Sequence, residues 1–311
     1  MDIIIVCHTE FGFVYDKGII FDKEGSKGVR NGVLNLTKLA EKYGAKITFA
    51  ICPEVVSFFP KEIKQEIGLH LHPGYKEYSR KGFNFFIGDK YIKDHCEQSV
   101  NSSVLKDFSF EEQLDMIKTG RDYLNKEFGY NPTSFVAGRW SLNNDTIKAL
   151  ADAGFTHDCS AAAHSKPSHH DWSKLPRICM PYYPDKNDYQ KEGDVPVLIT
   201  PISKYFPNGG VSPEVVDKVG LSWLKACFLE YYNQDAPLFH ICLHSPSMED
   251  DYFISEMDSL ISFISKHKNI SFKFVSEIKK YPKVNLKTNL LPYVFGINKQ
   301  ILKTYLSKII K

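Results

Sequence analysis

Residues Ile3 to Cys7 form an unbroken run of β-branched and apolar side chains with no polar alternation. A strand that is apolar on both faces must be covered on both, which suits a central parallel sheet or a closed α/β barrel. The rhythm that follows agrees. Val33, Leu36, Ala40 and Tyr43 recur at helical spacing, with Gly44 after them as a C-cap, and Ile47 to Ile51 is a second apolar strand. Residues 60–66 read as a short helix starting at Pro60 that feeds a third strand carrying His70 and His72. This βαβαβ order with short connections is the signature of a parallel sheet closed by helices.

Residues 74–108 interrupt the rhythm with a periodless aromatic stretch, placed where a loop shapes a pocket or lid, or covers exposed core. Order resumes at Ser109, whose spacing to Glu112 predicts a capping box ahead of a helix that ends at Gly129. A strand from Thr133 to Ala137, a helix from about Asn144 to Ala153 and a short strand to Asp158 come next. From Ser160 to Pro196 the chain is irregular; the cluster of His164, His169, His170, Asp171 and Trp172 matches no compact metal motif and reads as a solvated loop. Strands at 197–202, 238–243 and 272–275 alternate with helices near 213–232 and 249–266. Seven or eight strands result, so the expected fold is α/β, a deformed (β/α)7-type barrel over residues 1–283. Residues 284–311 form a C-terminal extension, where Ile297, Ile301, Leu302, Tyr305, Leu306 and Ile309 line one side of an amphipathic helix carrying Lys299, Lys303 and Lys308 elsewhere. Packing on the barrel or on a second subunit is its commoner fate, and contact with a membrane surface is the other.

Charge narrows the choice of partner. Thirty-nine basic residues against thirty-seven acidic ones leave +2, too balanced for a protein that grips nucleic acid through a broad positive field. A sugar or other small molecule fits better. Seven scattered cysteines with no C-x-x-C pair point to reduced, mostly buried thiols rather than a disulfide framework or zinc ribbon. The N-terminal run has no positive region and too few apolar residues for a signal peptide or membrane span, so a cytoplasmic protein is expected, peripheral to the inner membrane if the tail binds lipid.

Chemistry-bearing residues gather at the strand ends. His8 and Glu10 close the first strand, His70 and His72 the third, Arg139 the fourth, and His244 follows the apolar run 238–243. If the strands are parallel, all of them share one rim. Residues i and i+2 of a strand face the same way, so His70 and His72 make half of a transition-metal site, and Glu10 supplies a carboxylate; a hydrogen-bonded structural pair is the competing reading.

With these residues in view, the sequence resembles the polysaccharide deacetylase family, carbohydrate esterase family 4, of the NodB-homology fold. His8-Thr9-Glu10 stands where the family has its first acidic motif, Glu66-Ile67-Gly68-Leu69-His70 matches the lead into its histidine motif, Gly138-Arg139-Trp140 sits at its arginine motif, and Leu243-His244-Ser245 resembles its final L-x-H. His72 lies in an H-x-H-P arrangement, with Gly74 at the family's usual second histidine position. The resemblance covers roughly residues 2–280. It implies a metal-dependent N- or O-deacetylase in which Glu10, His70 and His72 bind a divalent metal, zinc above others, Arg139 orients the groups around the base, and His244 is the general acid. The family's base is an aspartate; here His8 occupies that position.

The implied substrate is an acylated amino sugar or sugar-linked intermediate of surface-glycan synthesis, with Tyr75, Trp140 and Trp172 as candidate stacking surfaces. Two other readings stay open: a barrel of altered chemistry that only binds carbohydrate, and a hydrolase of the same fold acting on a small C–N amide.

Overall fold

A computed structural model describes residues 1–11, 13–14, 18–19, 23–73 and 104–309, with side chains described over 1–11, 27–73 and 104–304. The elements that build the site are strand β1 (Asp2–Thr9), helix α1 (Lys23–Tyr43), strands β2 (Thr48–Ile51) and β3 (Glu66–Leu71), helix α2 (Phe110–Phe128), strand β4 (Ser134–Ala137), helix α3 (Asn144–Asp152), and strands β5 (His157–Asp158) and β6 (Leu198–Ile199). After them come helix α4 (Leu221–Tyr232), strand β7 (Leu238–His244), helix α5 (Asp251–Ser265), strand β8 (Ser271–Lys273), and the tail helices α6 (Leu291–Gly296) and α7 (Lys299–Ile309). The strands form one eight-stranded sheet in the order β7-β1-β2-β3-β4-β5-β6, with β8 pairing the start of β1. Every pairing in it is parallel. This is the deformed α/β barrel expected from the alternation.

The two faces of the curled sheet bury different sets. Ile3, Ile5, Cys7, Phe49, Ile51, Ile67, Leu69, Leu71 and Phe135 pack outward in the large core shared with the helices. Ile4, Val6, Ala50, Val136, Cys159 and Leu198 form a smaller cluster, the concave interior. Alternation along a strand then decides the rim: His8 continues the Ile4–Val6 face, and it sits in register with His244 on one neighbour and Ala50 on the other. His70 stands in register with Val136 on β4. The register therefore brings three histidines onto one concave face.

Local signals behave largely as their chemistry dictates. The Ser109 hydroxyl accepts from the Glu112 N–H while the Glu112 carboxylate accepts from the Ser109 N–H at 2.8 Å, and Gly129 ends α2 in the left-handed region. Helix 213–232 is broken in two at Gly220, whose φ of 75° no helix accommodates. The helix expected over 60–66 is absent. A 3₁₀ helix runs instead over Pro53–Phe58, because Pro53 supplies the preset first turn and Pro60 follows just past its end. The aromatic stretch 74–103 lies outside the described residues.

The irregular segment after Ser160 is not a solvated loop. His170 and Trp172 are buried, and both donate to backbone carbonyls of the β4 rim turn, as described below. In the tail, Tyr293 is buried against Trp223 with ring centroids 4.6 Å apart. Its hydroxyl donates to Glu230 at 2.7 Å, and Glu230 is itself ion-paired with Arg177. The extension is thus fastened to the barrel, while Leu291, Val294, Phe295, Ile297 and Leu302 stay exposed. No helix among the described residues is long and apolar enough to cross a membrane, and the six described cysteines are free thiols.

Candidate metal and acyl-transfer site

Glu10 lies at the centre of the rim. Its Oε2 is 3.0 Å from His72 Nε2 and 3.4 Å from His70 Nε2, and its Oε1 is 3.7 Å from His244 Nε2. Burial would raise its pKa, but the facing imidazoles of His72 and His70 hold the carboxyl well below its usual range. It is an anion in this setting. His70 Nδ1–H donates to the Val136 carbonyl at 2.9 Å, which fixes the ring with its Nε2 facing Glu10. That buried Nε2 has no hydrogen-bond partner among the described residues. A histidine anchored through one nitrogen, with the other bare and aimed at a carboxylate, is the arrangement of a metal ligand.

His72 packs edge-on against His70 at 4.7 Å. It fits only because residue 138 is glycine: a Cβ there would lie 2.5 Å from His72 Nδ1. Burial lowers the His72 pKa against the opposing pull of Glu10, which favours the neutral, ligating form. The structure therefore brings Glu10, His70 and His72 together.

Cys52 belongs to the same neighbourhood. Its Sγ, a Glu10 oxygen and a His70 ring nitrogen all lie within 4.8 Å of one another. The i and i+2 rule that picks out His8, His70 and His72 also applies to β2, where Ala50 faces the interior and Cys52 follows it, but a thiol beyond an apolar strand carries no polar mark in the sequence. Burial, then the carboxylates of Glu54 and Glu10, push the Cys52 thiol well above its ordinary pKa, which opposes thiolate ligation. Glu54 is a second carboxyl missed from sequence. Its buried Oε1 has no partner among the described residues, and burial, with Glu10 adding to it, raises its pKa to about 8.

On the opposite side stands His244. Its Nδ1–H donates to Glu214 Oε2 at 2.8 Å and its backbone N–H to Glu214 Oε1 at 2.7 Å. Burial alone would lower its pKa, but the Glu214 carboxylate outweighs that and raises it to about 9. Glu214 follows Ser212 and Pro213 at a helix start and carries no sequence mark of this role. His8 is held between His70 and His244, each 4.8 Å away between centroids. Burial and the two neighbouring imidazoles lower its pKa well below the usual value, and its Nε2 has no hydrogen-bond partner among the described residues.

The rim turn after β4 holds the other candidates. Arg139 and Trp140 both adopt left-handed backbone, with φ of 55° and 54°, a strained pair for non-glycine residues of the kind found at functional sites. His170 Nδ1–H donates to the Arg139 carbonyl at 3.0 Å and Trp172 Nε1–H to the Trp140 carbonyl at 2.9 Å. Trp172 is completely buried and offers no face for stacking; its role is to hold this turn. Trp140 remains partly exposed and stands edge-on to His8 at 6.4 Å. Arg139 is exposed, with its charge acting on His72. Tyr75 lies outside the described residues.

No protein-family model matches the chain, and no curated protein matches its sequence. Solved structures do. A Mycobacterium smegmatis protein named as a polysaccharide deacetylase superposes with a TM-score of 0.59 at 14% identity, over 89% of this chain and 87% of its own. A Pseudomonas aeruginosa PAO1 protein named likewise gives 0.55 at 15% identity over 88% and 87%, and the PuuE allantoinase gives 0.54 at 15% identity over 88% and 86%. The chain has the polysaccharide-deacetylase fold, as its motifs suggested.

Proposed function

We propose that this protein is a metal-dependent hydrolase that removes an acyl group from an amino sugar or a sugar-linked intermediate. The observation that carries this reading is the convergence of Glu10 on the Nε2 atoms of His70 and His72, with the Glu214-paired His244 across the same cleft. Glu10, His70 and His72 would hold the divalent cation, and their oxygen and nitrogen donors suit zinc. When bound, such a cation polarises an amide carbonyl and acidifies water.

The remaining steps fall to the chain. His8, neutral and with an unpartnered Nε2, is placed to take a proton from the attacking water. His244 is held as a cation by Glu214 and is placed to give its proton to the departing nitrogen. Arg139 supplies positive charge at the rim, and Trp140 gives the sugar ring a wall.

Incubation of the purified protein with a panel of N-acetylated and N-formylated amino sugars, reading acetate and formate, tests the reading. Allantoin joins the panel, because a structural neighbour is an allantoinase. Release from a sugar that is abolished in His244→Ala supports the proposal. A metal-loaded protein that hydrolyses none of the sugars overturns it. The exposed apolar residues of the tail, flanked by Lys299 and Lys303, support a contact with an anionic membrane surface.

A further inference from the structure

Behind Trp140 the rim opens into a second cavity of about 210 Å³, lined among others by Ser165, His169, His170, Ile202 and Lys204. Trp140 is the shared wall. Its ring stands 6.4 Å from His8 on the catalytic side and 6.0 Å from His170 on this one. Its indole N–H finds no acceptor among the described residues.

Lys204 is the unusual member. It is only 5% exposed, and its backbone is fixed at both ends: the N–H donates to the Tyr231 hydroxyl at 3.0 Å, and the carbonyl accepts from Arg177 at 2.6 Å. Such a buried lysine is ordinarily matched by a carboxylate. Among the described residues no carboxylate pairs with it. Burial pushes the amine down to about 8, opposed by the Cys242 thiol and by no carboxylate among the described residues.

The surroundings are cationic as well. Arg139 and Lys106 act on His169, and Lys204 and Lys106 act on His170; among the described residues no carboxylate acts on either imidazole. The nearest acid in sequence, Asp171, is taken up by Lys166 at 2.7 Å and by Ser173. Among the described residues, a cavity with a buried lysine, two imidazoles and an aromatic wall has no negative charge to match them.

We propose that this cavity is an anion subsite, in which Lys204 receives a carboxylate or phosphate carried by the amino-sugar substrate. The sugar ring lies on Trp140, and the acyl group lies at Glu10, His70 and His72. The substrate class is thereby narrowed to an acidic acylated amino sugar. This rests on the acyl-sugar reading of the neighbouring site, but its test does not depend on turnover.

Calorimetric titration of the full-length protein as purified, with N-acetylglucosamine, N-acetylglucosamine 6-phosphate and N-acetylmuramic acid, measures the preference directly. At least one acidic sugar should bind about tenfold or more tighter than the neutral one, as a charge-assisted contact in a desolvated cavity provides. Which acid wins separates phosphate from carboxylate. Lys204→Met should abolish the difference while leaving N-acetylglucosamine affinity unchanged, and Lys204→Arg should retain most of it. Equal binding of all three by the wild-type chain, no binding of either acid, or a preference that survives Lys204→Met overturns the subsite. Anion preference without any hydrolysis contradicts the hydrolase reading and leaves the subsite standing; hydrolysis of neutral sugars without the preference does the reverse.

Discussion

The imidazoles of His8 and His244 sit 4.8 Å apart between centroids and carry opposite assignments. Burial among other imidazoles keeps His8 neutral, whereas the Glu214 carboxylate keeps His244 protonated. Residue identity alone shows two histidines; their roles come from neighbours distant in sequence, which is why the pairing with Glu214 was not legible. The sign of the effect is definite. The raised pKa of His244 means that its ion pair stabilises the fold fully below the free imidazole value of about 6.5 and loses that contribution as pH rises through about 9. The protonated form, which the proposed mechanism uses as the general acid, disappears over the same interval. Glu214→Gln is expected to move the alkaline limb of the pH–activity profile to lower pH, because burial is then opposed by the Glu10 carboxylate alone; an unmoved limb would show that His244 is not the titrating acid.

Short elements place these residues through close backbone approach. Gly138 lets the His72 ring lie against the β4 rim, and a methyl group there would sit 2.5 Å from Nδ1. Gly138→Ala should therefore displace His72 and weaken metal binding by about tenfold or more, in line with losses of a ligand's support, which equilibrium dialysis against zinc would read. Unchanged affinity would remove His72 from the ligand set. Gly32 serves the other side: a Cβ on α1 at this position would fall 1.8 Å from the Ser245 carbonyl oxygen, so α1 can pack beneath the turn that follows His244. Strand ends and the Ser109 cap were readable because period and capping are local. The buttressing of Arg139 and Trp140 by His170 and Trp172 was not, since nothing in a loop sequence states which distant carbonyl its side chains will meet.

At the scale of the whole molecule, the alternation of two-sided apolar runs with amphipathic helices was enough to indicate a curled parallel sheet with its chemistry on one rim. The tail was harder to read. Its spacing announced an amphipathic helix, but the anchor is the buried network of Arg177, Glu230 and Tyr293, and only the chain's folding brings these together. Arg177→Met leaves buried Glu230 short of its cation and should cost about 3–5 kcal/mol of stability in chemical denaturation. A smaller loss than about 1 kcal/mol would mean that the pair does not hold the tail. Phe295, 82% exposed, gives a second handle: Phe295→Glu should reduce sedimentation of the protein with vesicles rich in anionic lipid, and equal sedimentation would dismiss a membrane contact through this face.

The central claim is that Glu10, His70 and His72 form a metal centre, and elemental analysis of the purified chain tests it most directly. The account predicts one divalent cation per chain in the wild type and in Cys52→Ser, and none in the double variant His70→Ala with His72→Ala. A wild-type chain that holds no divalent metal after incubation with zinc, or a double variant that keeps it, would contradict the account.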